Sequence, residues 1–240
     1  MKIILADDFD SMSDLGFLEI REVLDANPRA CIGLTTGATQ LGLFALIAAT
    51  PSLFALATIC GLDEYVGPSD AVYTVRTFMN RHLWSKGVTC AAELRIDGSV
   101  VDLDGEAARY RECLATYPRD LQVLGLGTNG HIGANEPGTP LDSTVHVALH
   151  PESTVQSTMQ LNRISRKECP TRMITQGLTE IMAAKKVLLM VSGSSKAEAV
   201  ARMLHGPIDS ECPSSKLRDH PNFVLILDKA AAAKLEKDKV

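Results

Sequence analysis

Short apolar runs that alternate with amphipathic stretches are the feature that most constrains the fold of this chain. Six runs predict buried strands: residues 2–6, 31–35, 57–63, 121–127, 186–193 and 222–228. Each run is continuously apolar, which is typical of parallel strands that are covered on both faces. Helical patterns fall near residues 12–26, 40–50, 72–84, 105–117, 175–185, 195–205 and 229–237. This order predicts an α/β fold with a mostly parallel, Rossmann-like sheet flanked by helices.

The chain shows no internal boundary, so we expect residues 1–240 to form a single domain. Its 240 residues suffice for one large α/β domain or two small ones, and no repeat or low-complexity linker divides them. The least regular segment covers residues 138–172. Because long irregular segments inside compact domains are usually functional, we predict a lid there.

Composition and charge exclude several classes of protein. A net charge of −5 without a clustered basic stretch argues against a nucleic-acid partner. The N-terminal apolar run is short and is followed at once by acidic residues, which indicates a first strand rather than a signal peptide. No run approaches eighteen apolar residues, so no membrane span is expected. The six cysteines are scattered and none forms a C-x-x-C pair, which favours a cytoplasmic protein with reduced thiols.

Polar or glycine-rich segments follow four of the predicted strands. They are TTGATQ, DEYVG, GTNGHIGANEPG and SGSSK, after the second, third, fourth and fifth apolar runs. Ligands of open parallel sheets bind outside the carboxyl ends of the strands. Four such loops at one edge of the sheet therefore predict a ligand site.

Two of these loops have the composition of anion-binding sites. The first carries Thr36, Gly37, Ala38 and Thr39 between a strand and a helix, and the other places Lys196 in a first helical turn. Small residues let backbone amides approach an anion, and the helix N-terminus adds partial positive charge. Alternatively, Thr39 is a plain helix cap and Lys196 a solvated surface residue. Together the two loops predict a site for one phosphate or sugar phosphate.

Asp63 and Glu64 end the third run, where a carboxylate can act as a base on a substrate held above the sheet. Adjacent residues of an extended segment point to opposite sides, so we expect only one of the two to face a ligand. The alternative is an ordinary turn built from Asp and Gly.

His131 is the one histidine of six that lies in a glycine-rich loop. Histidine side chains transfer protons near neutral pH, and Asn129 and Glu136 are placed to fix the tautomer or share the proton. The glycines of the loop allow the backbone to pass close to a ligand. A metal site of His131, Glu136 and Asp63 is the alternative, but no second histidine or cysteine stands at ligand spacing.

The motifs LDEYVG, GLGTNGHIGANEPG and SGSSKAEA together resemble those of the glucosamine-6-phosphate deaminase (isomerase) family, in its order and spacing. The resemblance covers nearly the whole chain and is greater to the short members, including those called galactosamine-6-phosphate isomerase or deaminase. It implies an enzyme of amino-sugar catabolism. Its reaction turns a hexosamine 6-phosphate and water into a ketohexose 6-phosphate and ammonia, without a metal or organic cofactor.

The resemblance also implies residue roles. Asp63 matches the base that moves a proton from carbon 2 to carbon 1, and His131 the ring-opening acid/base. Glu136 matches the carboxylate that polarises the histidine. The residues that match phosphate-binding positions are Thr36, Gly37, Ala38, Thr39 and Lys196.

The chain departs from the family pattern at several positions. Asn129 stands where many longer members have Asp. The family's second phosphate-binding cation, an Arg near the lid, falls at Met159, and we hypothesise that Arg172 replaces it. The basic pair with which larger members bind an N-acetylated effector falls at His146 and Ala148, so we expect no such activation.

Two other functions remain open from the sequence. A 6-phosphogluconolactonase-like hydrolase shares the fold and a Gly-His loop, although it needs neither NEPG nor DEYVG. A non-catalytic sugar-phosphate sensor is the other alternative, although the chain starts with a strand and not with a helix-turn-helix. The preference between glucosamine and galactosamine 6-phosphate is open, and so is the choice between a monomer and a homo-oligomer.

Overall fold

A seven-stranded parallel sheet forms the centre of the protein. The computed structural model describes residues 1–235, apart from the side chains of Ser153, Ser157 and Leu161. The strands of this sheet are β1 (Lys2–Ala6), β2 (Cys31–Leu34), β3 (Thr58–Gly61), β5 (Ala92–Leu94), β6 (Leu121–Gly125), β9 (Val187–Val191) and β10 (Phe223–Asp228). Their order across the sheet is β1-β10-β9-β6-β2-β3-β5, and every neighbouring pair runs parallel. The prediction of a mostly parallel sheet is therefore confirmed.

Two interior strands of the sheet, β9 and β10, explain why the apolar runs are continuous. Every residue of β9 and of β10 is buried. Along β9, Leu188 and Met190 belong to the apolar core on one face, whereas Val187, Leu189 and Val191 belong to the core on the other. Since both faces are covered, neither can carry the polar residues that would give an alternating pattern.

Seven α-helices accompany the strands in the described part of the chain. They are α1 (Phe9–Ala26), α2 (Leu41–Ala49), α3 (Val75–His82), α4 (Leu103–Thr116), α5 (Glu152–Asn162), α6 (Leu178–Met182) and α7 (Ala197–His205). The long helix α1 begins at an Asp8 cap, whose Oδ1 accepts the backbone N–H of Ser11 at 2.8 Å. Gly16 allows α1 to lie close against the sheet, because a Cβ there would come within 2.6 Å of Met190 Sδ.

A second, three-stranded antiparallel sheet was not predicted. It has the order β4-β8-β7, from β4 (Asp63–Tyr65), β7 (His146–Leu149) and β8 (Arg172–Thr175). A single residue, Leu62, separates β3 from β4. The apolar run at 57–63 therefore contains the whole of β3 and the first residue of β4, which belong to different sheets. These short strands pair with segments that are distant in the chain, so the sequence of each strand by itself gives little indication of the pairing.

Three other sequence expectations need correction. The segment 138–172, expected to be irregular, contains β7, α5 and the start of β8. The helix expected at 175–185 is reduced to α6, because β8 extends to Thr175. The helix expected at 229–237 is absent from residues 229–235, which form turns, and its last two positions lie outside the described residues. No helix in the part of the chain that the structure describes is long and apolar enough to cross a membrane.

Candidate active site

All four loops singled out in the sequence line one cavity of about 340 Å³ at the carboxyl ends of the strands. Thr36 enters it from the loop after β2, and Asp63 from the start of β4. His131 comes from the loop after β6, and Lys196 from the loop after β9. These residues are distant in the chain. The parallel sheet brings them together because the carboxyl ends of its strands share one edge.

The loops after β2 and β9 have the same construction. Each passes through a glycine with positive φ, Gly37 at 120° and Gly193 at 95°, and then forms a three-residue 3-10 turn that leads into a helix. Gly37, Ala38 and Thr39 line the cavity together with Thr36. Thr39 does not cap helix α2 with its side chain, which removes the capping alternative. Both helix entrances therefore lie at one cavity, the first through residues 36–39 and the second through Lys196.

Lys196 brings an uncompensated positive charge to this end of the cavity. Within residues 1–235, no carboxylate lies within ion-pair distance of its ammonium group, although most other lysines have such partners. Burial lowers the pKa of Lys196 below its ordinary value. A bound anion would supply the missing counter-charge.

Asp228, the last residue of β10, holds the loop that carries Lys196. Its carboxylate accepts the Ser192 hydroxyl at 2.5 Å and the backbone N–H of Gly193 at 3.0 and 3.1 Å. It also accepts the N–H of Ala231 at 2.6 Å. Sequence reasoning missed this residue, because its partner loop lies some thirty-five positions away in the chain.

Asp63 and Glu64 face opposite sides of β4, as the alternation of strand side chains predicts. Asp63 lines the cavity. Glu64 turns toward helix α3, where its carboxylate accepts the backbone N–H groups of Val75 and Arg76, both at 2.9 Å. Glu64 is thus a structural cap, which leaves Asp63 as the carboxylate of this pair that can meet a ligand.

The environment of Asp63 favours its protonated form. Burial, and secondly the nearby negative charge of Glu64, raise the pKa of Asp63 from about 3.8 to about 7. A carboxyl group with such a pKa can both take up and release a proton near neutral pH. This is the property that a general base needs when it must also return the proton it abstracts.

The glycines of the histidine loop make room for the His131 ring. A Cβ on Gly127 would overlap the imidazole of His131, so the ring packs directly on the backbone there. The N–H of Gly127 donates to the His131 carbonyl at 2.9 Å, and Gly130 supplies a φ of 92° between them. The loop is a tight turn built to present one imidazole.

His131 and Glu136 form a polar pair at the cavity. The His131 Nδ1 atom lies 3.1 Å from Glu136 Oε1, but its N–H is not aligned with that oxygen in this ring orientation. Such contacts tighten in many enzymes when substrate binds. Asn129 bridges the two residues: its Nδ2 donates to Glu136 Oε2 at 2.7 Å, and its Oδ1 accepts the His131 backbone N–H at 3.1 Å.

Glu136 is kept ionised by its neighbours. Burial by itself raises the pKa of Glu136, but the contacts with His131, Asn129 and Thr154 outweigh burial and leave the pKa below its ordinary value. Thr154 donates its hydroxyl to Oε1 at 3.1 Å. A carboxylate beside Nδ1 favours a proton on that nitrogen, which leaves Nε2 of the neutral ring free to accept one.

Arg172 lies outside this cavity, contrary to the hypothesis that it replaces a lid arginine. Its side chain is exposed at the start of β8, and the next residue, Met173, is the one that lines the cavity. Since adjacent strand residues point to opposite faces, Arg172 is turned away from the phosphate loops. Met159 does not line the cavity either.

Helix α5 supplies cavity residues that sequence reasoning missed. Thr154, Thr158 and Asn162 are four positions apart, so they lie on one face of the helix, and all three line the cavity. Thr158 Oγ1 lies 3.2 Å from the hydroxyl of Tyr65, another lining residue. The four-residue spacing of these polar residues is visible in the sequence and could have predicted a polar helix face at the site.

A metal-ligand cluster is not formed by the candidate residues. In the part of the chain that the structure describes, no three His, Cys, Asp or Glu side chains stand close enough to hold an ion. Asp63 thus does not join His131 and Glu136 in such a group.

The fold and the site define a class of protein. A parallel α/β sheet whose carboxyl edge carries two phosphate-type loops, a buried carboxylate and a histidine–glutamate pair is the arrangement of an acid/base enzyme for a small anionic substrate.

Comparison with known proteins agrees with this class. The family model described as glucosamine-6-phosphate isomerases/6-phosphogluconolactonase matches residues 10–225. A glucosamine-6-phosphate deaminase of Lactobacillus delbrueckii subsp. bulgaricus is 38% identical over 98% of this chain and 100% of its own length. The solved structure of a monomeric glucosamine-6-phosphate deaminase, 32% identical, superposes with a TM-score of 0.91 over 97% of this chain and 99% of that one.

More distant structures share the fold alone. A 6-phosphogluconolactonase from Trypanosoma cruzi superposes with a TM-score of 0.80 at 20% identity, over 98% of this chain and 96% of that one. The chain belongs to the glucosamine-6-phosphate isomerase/6-phosphogluconolactonase family.

Proposed function

We propose that this chain is a hexosamine-6-phosphate deaminase. It converts glucosamine 6-phosphate or galactosamine 6-phosphate, with water, into the corresponding ketohexose 6-phosphate and ammonia. The observation that carries the proposal is the convergence in one cavity of Asp63, the His131–Glu136 pair and the uncompensated Lys196. The deaminases that resemble this chain over nearly its full length support the same reaction.

The two phosphate-type loops anchor the substrate. The phosphate accepts hydrogen bonds from the backbone amides of residues 36–39 and pairs with the Lys196 ammonium. The reacting carbons lie at the other end of the sugar. Binding energy gained at the phosphate therefore holds carbons 1 and 2 against the acid/base groups without taking part in the bond changes.

His131 opens the sugar ring. Its imidazole accepts the proton of the anomeric hydroxyl and delivers a proton to the ring oxygen, which breaks the bond between carbon 1 and that oxygen. Glu136, placed at Nδ1, stabilises the positive charge that the ring carries between these two transfers. The product is the open-chain amino aldehyde.

Asp63 then moves a proton between neighbouring carbons. Its carboxylate takes the proton from carbon 2 while oxygen 1 gains a proton from solvent, which gives an enolamine. Asp63 returns the proton to carbon 1, and the nitrogen lone pair forms an iminium at carbon 2. Water adds to that carbon, ammonia leaves and one proton returns to solvent, so the ketose 6-phosphate is formed. A carboxyl group with a pKa of about 7 suits both directions of this transfer.

The proposed setting is the cytoplasm. All six cysteines are free, which fits a reducing compartment. The proposed partner is the small sugar phosphate.

The direct test measures ammonia and ketose phosphate in parallel from the 6-phosphates of glucosamine and galactosamine. We expect equal amounts of both products from at least one sugar, and the sugar that reacts faster identifies the preferred epimer. The same plate includes 6-phosphogluconolactone, which tests the lactonase alternative. If folded protein released no ammonia and no ketose phosphate from either amino sugar, the proposal would be overturned. Tight binding of a sugar phosphate without turnover would indicate the non-catalytic sensor.

A Lys196→Gln variant tests the phosphate end of the site. We expect KM for the amino-sugar phosphate to rise at least about tenfold, because a charge-assisted contact with the phosphate is lost. Lys196→Arg keeps the charge and serves as the matched control. The ratio of kcat/KM for glucosamine 6-phosphate over unphosphorylated glucosamine should fall in Lys196→Gln. An unchanged ratio would show that Lys196 does not bind the phosphate of the substrate.

A further inference from the structure

The segment at the end of β8 connects the strand that carries Asp63 to the loop that carries His131. Thr175 pairs directly opposite Asp63 in the antiparallel ladder and is fully buried. Its hydroxyl accepts the backbone N–H of Ala134 in the histidine loop at 3.1 Å and donates to the Gln176 carbonyl, also at 3.1 Å. One side chain thus joins the two segments that bring the acid/base groups to the cavity.

Gln176 adds further bonds to the same two segments. Its backbone N–H donates to the Leu62 carbonyl at 2.9 Å, and its side-chain Nε2 donates to the Gly61 carbonyl at 2.8 Å. These are the two residues immediately before Asp63. On the other side, the Gln176 carbonyl accepts Nδ2 of Asn135 at 2.8 Å.

Asn135 and Gly133 complete the junction from the histidine loop. Asn135, which is fully buried, also donates Nδ2 to the Ile132 carbonyl at 3.0 Å, so it holds the residue that follows His131. Gly133 has a φ of 58°, and a Cβ there would lie 2.8 Å from the Thr175 hydroxyl and 3.3 Å from a Leu62 methyl. The loop therefore rests on Thr175 and Leu62 without space for even one more carbon.

None of Thr175, Gln176 and Asn135 lines the cavity, so they do not meet a substrate there. We propose that Thr175 and Gln176 are positioning residues that set the placement of Asp63 relative to His131. The inference rests on the proposed deaminase function for its kinetic consequence. The physical reason is that proton transfer requires both groups within hydrogen-bond reach of the same substrate, and a displacement of about 1 Å can reduce the rate about 100-fold.

The test replaces Thr175 by Val, which keeps the shape and removes the hydroxyl. We expect kcat to fall about 10- to 100-fold while KM stays within about twofold, because the phosphate loops at Gly37 and Lys196 are separate from the junction. Thr175→Ser keeps the hydroxyl and should restore most of kcat. Gln176→Met removes the side-chain hydrogen bond and keeps the backbone hydrogen bonds. It should likewise lower kcat and leave KM nearly unchanged.

Ser215→Ala is the matched control for loss of a buried hydroxyl. The Ser215 hydroxyl accepts the backbone N–H of Asp209 at 3.2 Å and donates to the Asp209 carbonyl at 3.4 Å, so it makes the same kinds of bond away from the junction. We expect Ser215→Ala to lower Tm as Thr175→Val does and to leave kcat unchanged. Equal effects of the two variants on kcat at a temperature well below both Tm values would overturn the proposal.

A second readout does not depend on activity. The ring carbon–proton NMR signal of His131, assigned by its loss in His131→Gln, should move in Thr175→Val and stay in place in Thr175→Ser and Ser215→Ala. If the wild-type protein released no ammonia from either sugar, the proposed function would fail, yet a moved His131 signal would still support the positioning role. An unmoved signal in Thr175→Val would refute that role whatever the activity.

Discussion

Asn129 shows how one neutral side chain can contact both members of a histidine–carboxylate pair. Its amide donates to Glu136 and accepts from the backbone of His131 at the same time. An aspartate could accept from the backbone, but it could not donate to Glu136 and would place a second negative charge beside it. The amide of Asn129 therefore helps to keep Glu136 ionised. Glu136 then carries the negative charge beside the His131 ring without a second carboxylate next to it.

Asp63 gives the protein a dependence of stability on pH that can be measured. Its pKa of about 7 lies above the value of about 3.8 expected when the chain is unfolded. Between these two pH values the folded protein therefore binds more protons, and its free energy of unfolding falls as the pH rises. Three pKa units correspond to about 4 kcal/mol.

Asp63→Asn removes this dependence. We expect the stability of the variant, relative to wild type, to increase by up to about 4 kcal/mol between pH 4 and pH 8 in urea unfolding experiments. The variant should also lose ammonia release, whereas wild-type kcat/KM should decline below about pH 7 as Asp63 takes up a proton. A difference in unfolding free energy that is constant across this range would contradict the raised pKa.

At the scale of secondary-structure elements, the cavity depends on how strand ends hold the loops of their neighbours. Asp228 at the end of β10 fixes the loop after β9, and Thr175 at the end of β8 fixes the loop after β6. In both cases a buried side chain satisfies backbone N–H groups of a turn that cannot satisfy them itself. The shapes of the loops thus follow from residues outside them.

Replacing Asp228 by Asn tests this dependence for the phosphate end. The Asp228 carboxylate accepts the Ser192 hydroxyl and the N–H groups of Gly193 and Ala231, and the amide would leave only one acceptor oxygen for them. We expect KM for the sugar phosphate to rise about tenfold, which is about 1.4 kcal/mol, with kcat within about twofold. The kinetics are measured by ammonia release at saturating and limiting substrate.

The control for that variant is Asp219→Asn. Asp219 is paired with Lys216 at the surface, and exposed pairs contribute at most about 1 kcal/mol. It should leave KM unchanged. If Asp228→Asn also leaves KM unchanged, the carboxylate does not shape the loop after β9.

For the whole molecule, the parallel sheet places four loops from distant parts of the chain at one edge, and the second sheet closes one side of the cavity with β4 and β8. Strand β7 of that second sheet, His146–Leu149, carries no lysine or arginine, so it offers no pair of permanently charged side chains to a phosphate-bearing effector.

We therefore expect hyperbolic kinetics that N-acetylglucosamine 6-phosphate does not activate. An effector can change activity only by binding one state of the protein more tightly than another, and the missing charges remove the basis for such binding. Initial rates over a range of substrate, with and without the effector, provide the measurement. Sigmoidal curves that become hyperbolic when the effector is added would contradict this expectation.

The sequence by itself determined the parallel sheet and the positions of the four loops. Buried strands must be apolar along their whole length, and tight turns with positive φ call for glycine, so both leave local patterns that can be recognised at residues 121–138 or 187–196. It also predicted that Asp63 or Glu64, but not both, would face the ligand, because strand side chains alternate.

Only the tertiary structure decided the rest. The antiparallel sheet forms from three segments that are far apart in the chain, and the roles of Thr175 and Asp228 depend on hydrogen bonds to backbone groups of other loops. The orientation of Arg172 away from the cavity follows from the register of β8, which is set by its pairing with β4. These strand pairings and hydrogen bonds depend on the packing of the whole molecule, so they cannot be predicted from a local pattern of residues.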